Sequence, residues 1–204
     1  MRYLFCLQLI MTSFVMANPV FASLIERDYS GVIGGITYDS ESNYEWLDLS
    51  FTRSMSLSEY QDYLAVLDDS WMFASSDKVS DLFSHFDLTG EINVDYGIAN
   101  PGSGYAYYSS PETVFIDLVN DLTMLGESMS LGSNFYGVKG FTSDQVGANY
   151  EQYMAYYSKS QTIGVVSLGD YIRTPSGKSI QSFFTYREAL PVVAPVDLPE
   201  PATL

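Results

Sequence analysis

The sequence predicts a single α+β domain with about three helices and a mostly antiparallel sheet. Three observations predict it. Apolar residues recur at helical spacing in three segments between residues 56 and 126. After Gly132 the texture changes to short β-like runs separated by turn residues. With an N-terminal leader (1–22) and a Pro-rich tail (191–204) set aside, residues 23–190 have a length that suits one core.

Taken in order, Met1 to Ala22 carries one positive charge at Arg2, an apolar run from Tyr3 to Val15 and the small-residue pair Val20 and Ala22. That is the layout of a secretory signal peptide cut after Ala22. Gln8, Thr12, Ser13, Asn18 and Pro19 interrupt the apolar run, which argues against a retained membrane anchor. The only cysteine, Cys6, falls in this leader, so a chain starting at Ser23 has no thiol and must hold its fold by packing.

Ser23 to Ser30 leads into Gly31–Tyr38, an apolar stretch with glycines that reads as a strand. The polar turn Asp39–Asn43 breaks it, and Tyr44–Leu49 alternates as a second strand with Trp46 inward, giving a hairpin. Ser56 with Glu59 three residues later forms a capping-box signature. Leu57, Tyr60, Leu64 and Leu67 then mark a first amphipathic helix. Trp71–Ala74 reads as a short strand. Ser76 is the expected cap of a second helix with the stripe Val79, Leu82, Phe83 and Phe86.

Residues 87–109 hold Gly90, Gly97, Pro101, Gly102 and Gly104 without a sustained period, so they read as a long ordered loop or short ribbons. Ser110 as cap and Pro111 at the first helical position start a third helix. Phe115, Leu118, Val119, Leu122 and Leu125 face inward, and Gly126 ends it. The later β-like runs are 135–141, 150–157, 162–168 and 180–186. From Pro191 on, four of the eight prolines fall in 14 residues, which makes an extended stalk.

Charge narrows the function classes. The chain has 25 acidic and 9 basic residues, a net charge of −16, and loss of Arg2 makes it −17. Such a field repels phosphate backbones, which excludes nucleic acid as a partner. His85 is the only histidine, so zinc sites with two histidine ligands and HExxH hydrolases are excluded. Asp81, four residues before His85, is placed to orient the imidazole, but no GxSxG elbow supplies a nucleophile. Glycine-rich phosphate loops are absent too.

Two sets of residues remain as candidates. Asp87, Glu91 and Asp95 offer oxygen ligands for Ca²⁺, without the EF-hand spacing. Tyr105, Tyr107 and Tyr108 lie in the Gly/Pro-rich segment of a chain with 17 tyrosines, where exposed rings suit sugar or protein contact. Carboxylate pairs such as Asp39 with Glu41, Asp68 with Asp69 and Glu91 with Asp95 keep open the alternative of a secreted hydrolase acting on glycans. The expected protein is otherwise non-enzymatic.

Two resemblances add to this reading. Leu198-Pro199-Glu200-Pro201-Ala202-Thr203-Leu204 resembles the opening of the PEP-CTERM sorting signal of exopolysaccharide-producing Gram-negative bacteria, with Pro199, Glu200 and Pro201 as the motif. In that family a membrane helix and a basic tail follow, and a membrane protease, exosortase, processes the signal. The segments Ser23–Asp28, Gly34-Gly35-Ile36-Thr37-Tyr38-Asp39, Asn43–Leu49, Ser70–Val79 and Ser182–Arg187 resemble stretches of the Lcl C-terminal-like domain family, common in exosortase-sorted proteins. Ser70 and Met72 depart from it, standing where that family carries glycine and arginine.

The resemblances imply export through the Sec pathway to the medium or the cell surface. Signal peptidase and exosortase would be the processing partners. The domain would be lectin-like, with exopolysaccharide or a surface protein as its ligand in a biofilm matrix.

Overall fold

The computed structural model describes residues 24–68, 70–86, 92–95, 105–109, 115–126, 135–158, 163–167, 171–173, 175 and 182–190. For 92–95, 105–109, 115–117, 163–167 and 171–173 the description is of the backbone alone. The leader at 1–22, the tail at 191–204 with Pro199, Glu200 and Pro201, and the expected helix start at Ser110 and Pro111 lie outside the described residues.

The fold is α+β, with three α-helices and two mostly antiparallel sheets among the described residues. The first sheet has five strands, β1 (Leu24–Tyr29), β2 (Val32–Asp39), β3 (Tyr44–Leu47), β4 (Met72–Phe73) and β12 (Thr185–Glu188), in the order β1-β2-β3-β12-β4. The second is built from β5 (Ile92–Asp95), β6 (Tyr105–Ser109), β7 (Phe135–Val146), β8 (Asn149–Ser158), β9 (Ile163–Ser167), β10 (Tyr171–Arg173) and β11 (Ser182–Phe183). Its order is β11-β7-β8-β9-β6-β5, with β10 also paired to β8. Only the β11–β7 pairing is parallel among those described.

Local chemistry accounts for the first sheet. Ser30 and Gly31 both take left-handed φ (50° and 82°), the conformation a two-residue hairpin turn needs, so Leu24–Tyr29 is a strand in its own right and not a lead-in. Asp39 closes the β2–β3 turn by accepting from the backbone N–H groups of Glu41 and Ser42. A 3-10 helix (Leu49–Thr52) follows. Then comes α1 (Leu57–Val66), where Ser56 Oγ accepts from Glu59 N at 3.2 Å and the Glu59 carboxylate accepts from Ser56 N at 2.7 Å. This is the expected capping box.

Helices α2 (Ser76–Ser84) and α3 (Phe115–Met124) lie between the two sheets. Their apolar faces, Val79, Leu82, Phe83 and Phe86 from α2 and Leu118, Leu122 and Leu125 from the α3 segment, join Trp46 and Leu49 beside the first sheet. Val138, Tyr153, Ala155 and Tyr157 meet them from the second. The cap of α2 is Ser75, not Ser76. The α3 segment ends at Gly126 in the left-handed region, and Leu49 N donates to Leu125 O at 2.9 Å.

Backbone bonds at one corner stitch the sheets together, and Ser143 N of β7 donates to Ala74 O at 2.8 Å. Phe184 N donates to Phe141 O in the second sheet, while Phe184 O accepts from Ala74 N beside the first. The chain therefore leaves β11 and enters β12 at one corner. Gly140 makes room for it, because a Cβ there would sit 2.8 Å from the Phe184 ring. Under this corner α1 packs Tyr60 flat on Phe183, with ring centroids 4.2 Å apart, and the Tyr60 hydroxyl meets Thr185 Oγ1 at 2.9 Å.

Candidate functional site

His85 caps the C-terminal end of α2 and is almost fully enclosed. Its Nδ1 lies 2.7 Å from Asp39 Oδ2. Asp39 is itself fully buried and takes a further hydrogen bond from Ser42 Oγ at 2.6 Å. The other ring nitrogen, Nε2, stands 3.8 Å from both Glu41 Oε2 and Asp81 Oδ1. The carboxylate that orients the imidazole is therefore Asp39, from the β2–β3 turn, with Asp81 on the opposite side of the ring.

This arrangement does not assemble a nucleophile. A serine attacked through a histidine base must sit at the nitrogen remote from the orienting acid. Ser42, whose hydroxyl bonds into the cluster, sits on the Asp39 end, and two carboxylates occupy the Nε2 side.

Other carboxylates are engaged in similar structural roles. Asp144 Oδ2 accepts from Ser76 N, and Glu151 Oε2 accepts from Ser76 Oγ at 2.6 Å, so both acids sit at the positive end of α2. Burial holds the nearby Tyr153 hydroxyl above its ordinary pKa, with Glu151, Asp144 and Asp77 adding in the same direction. Glu45, buried in β3, lies between Arg27 Nη1 (2.6 Å) and Arg187 Nε (2.8 Å). Arg187 also reaches Asp68 at 3.0 Å and covers the Trp71 ring. Lys78 Nζ donates to the Tyr44 hydroxyl at 2.5 Å and lies over that ring. The hydrogen bond raises the Lys78 pKa.

Of the expected calcium ligands, Asp87 and Glu91 lie outside the described residues, and Asp95 is the last residue of β5, opposite Tyr105. The Asp87–Asp95 stretch is thus in part a strand and not wholly a loop. Among the described residues no three His, Asp or Glu side chains gather to hold an ion.

The tyrosines are placed differently from the loop expected. Tyr105, Tyr107 and Tyr108 all belong to β6, between β5 and β9. Strand alternation puts Tyr105 and Tyr107 on one side of the sheet and Tyr108 on the other, so the three positions do not form one patch. Tyr107 pairs with Val165, which pairs with Tyr156, while Tyr108 pairs with Gly164 and through it with Tyr157, a core residue. Tyr107 thus shares its row and its sheet face with Tyr156, away from α2 and α3.

On that outer face the Tyr156 ring stacks on Phe135, with centroids 4.6 Å apart and planes 22° apart. Gly137 lies directly opposite Tyr156, and a Cβ there would come within 2.8 Å of the Tyr156 Cβ. The glycine therefore lets the aromatic sit close to its neighbour strand. Phe135, Tyr156, Met154 and Lys139 are half-buried side chains on this face, while toward its other end Phe141 and Gln152 are fully buried, Phe141 in a cluster with Tyr60 of α1. Tyr156 and Phe135 are members of the site that sequence reasoning passed over. Their β-like runs were visible, but their alignment with Tyr107 depends on a strand order that reading along the chain does not give.

The chain matches no family model, no curated protein and no solved structure.

Proposed function

We propose that this chain is an exported, non-catalytic module of the extracellular matrix or cell surface, and that it binds polysaccharide through the outer face of the second sheet. The observation that carries this reading is that Tyr156, whose ring stacks on Phe135 of the neighbouring row, lies in register with the Tyr107 position across β8, β9 and β6. A row of aromatic positions on a sheet suits the flat apolar faces of sugar rings, while tyrosine hydroxyls supply hydrogen bonds at the edge. Export rests on the leader at 1–22 and on the Pro199-Glu200-Pro201 motif, with signal peptidase and exosortase as processing partners. The resemblance to a lectin-like adhesin domain points the same way.

The hydrolase alternative draws no support from the described residues. Asp39 is buried in a hydrogen bond to His85 and Glu45 in ion pairs with Arg27 and Arg187, and Asp144 and Glu151 hold the start of α2. A glycosidase needs two carboxylates facing each other across a bound sugar.

The test is co-sedimentation of the exported chain, residues 23–204, with matrix polysaccharide from producing cells, with the supernatant assayed for released sugar. Retention without release, lost in Tyr156→Ala and kept in Tyr136→Ala on the other face, is the expected result. Release of sugar, or equal retention by both variants, overturns the reading.

A further inference from the structure

The row on the outer face has a repeat. Tyr156 on β8 and Tyr107 on β6 are separated by one strand, β9, where the same row holds Val165. Neighbouring strands lie about 4.8 Å apart, so the two tyrosine positions are about 10 Å apart across the strands. Asn93 on β5 continues the row beyond Tyr107. Aromatic positions thus alternate with a small aliphatic one along a line perpendicular to the strands.

The charge on this face is also unlike that of the chain. The sequence holds 25 acidic against 9 basic residues. Among the described strand positions that register places on the outer face, the charged ones are Asp95, Lys139 and Arg173. Among these described positions acids do not dominate as they do in the chain. A face of nearly balanced charge within a strongly acidic chain neither attracts a polycation nor offers the array of arginine forks that holds sulfate.

We propose, resting on the polysaccharide reading above, that the ligand is the interior of an uncharged, extended, equatorially linked polysaccharide lying across the strands. In such a two-fold chain every second sugar turns the same side toward the surface, and the disaccharide repeat is close to the separation of the Tyr156 and Tyr107 positions. Alternate sugars then lie over the Tyr156 and Tyr107 positions while the one between crosses the Val165 position. An α-1,4-linked glucan coils and cannot keep successive sugars in one line with a flat row. A single sugar fills only one of the two positions, so affinity rises with chain length.

Affinity electrophoresis of the exported chain tests this, with gels containing a neutral β-1,4-linked glucan or mannan, an α-1,4-linked glucan, or a sulfated polysaccharide. A ladder of β-linked oligosaccharides serves as competitors. The expected result is retardation by the β-linked polymers only, insensitive to salt, with competition strengthening along the ladder. Retardation falls about tenfold in Tyr156→Ala and in Tyr107→Ala, each checked for an unchanged melting transition. Tyr107→Ala keeps the test open if Tyr156→Ala does not fold. Retardation by the α-linked or sulfated polymer instead, or full competition by a monosaccharide, overturns the inference and leaves the polysaccharide reading standing. Absence of retardation by every polymer, together with no retention on native matrix, removes both.

Discussion

Asp39 and His85 stand 46 residues apart in the chain and share a 2.7 Å hydrogen bond in a site nearly closed to solvent. The pair pins the β2–β3 turn to the end of α2, so the first sheet and the inter-sheet layer are fastened at a polar point as well as by packing. Removing one partner leaves the other enclosed with a lost charge-assisted bond. His85→Ala is therefore expected to cost about 2–3 kcal/mol in urea unfolding. Asp39 keeps its bonds from Ser42 and Glu41 in that variant, which holds the cost below that of a bare buried charge. A double-mutant cycle with Asp39→Asn measures the coupling, and a coupling near zero sinks this account of the site.

Gly126 meets two requirements at once. Its φ of +80° is a conformation L side chains rarely adopt, and a Cβ there would overlap the Asp48 carboxylate. Gly126→Ala is expected to destabilise the fold by about 2 kcal/mol or more, the left-handed backbone alone accounting for about 1–2. Because Asp48 also accepts from Ser50 N at 2.7 Å and caps the 3-10 helix, Asp48→Ala carries its own cost of about 1 kcal/mol. Thermal melts of both single variants and the double should show partial relief of the clash in the double. Full additivity would place the whole penalty in the backbone.

How much of this was legible depended on how local the cause was. The α1 capping box and the α2 stripe were readable because Ser56, Glu59, Val79, Leu82 and Phe83 act within a turn or two of themselves. Ser75 and Ser76 are equally able to cap, and the choice was made from far away: Ser76 is drawn to Glu151 and Thr142 on the second sheet, leaving Ser75 as the cap. β1 was hidden by Glu26-Arg27-Asp28, charges that suit an edge strand but break an apolar pattern. β6 was hidden by the Gly/Pro-rich residues around it. The split into two sheets turns on the backbone bonds of Phe184, which no periodicity records. The Tyr156–Tyr107 row likewise exists only once β9 is inserted between β8 and β6.

Gln152 offers a gain in stability. It is fully buried on β8 beside Phe141, and neither its amide nitrogen nor its oxygen has a hydrogen-bond partner. Burying an amide without compensation costs about 1–3 kcal/mol. Gln152→Met keeps the length and shape while removing both polar atoms, and is expected to raise stability by about 1–2 kcal/mol. Urea midpoints of the two proteins, at equal denaturant slope, decide it. A loss of stability would mean that the amide is satisfied in solution, by bound water for example.

The response to alkali follows from four groups displaced in the same direction. Burial pushes Tyr60, Tyr63 and Tyr153 up from the ordinary phenol range, and the hydrogen bond to Tyr44 raises Lys78. A group whose pKa is higher in the fold than in the unfolded chain binds more protons when folded. Its contribution is complete below the unfolded pKa and is lost as pH rises through the folded one. The unfolded values lie near 10, so stability should hold up to about pH 9 and then fall steeply, with tyrosinate absorbance rising together with the loss of structure. On the acid side Asp68, held low mainly by the Ser70 hydroxyl, and Glu59, held low by Ser56, contribute only above the carboxylate range. Both are exposed, so that contribution is small and salt-screened. Tyrosine ionisation completed well before unfolding would contradict the burial of these rings, while a Tyr60→Phe variant should lose less stability in alkali than the parent.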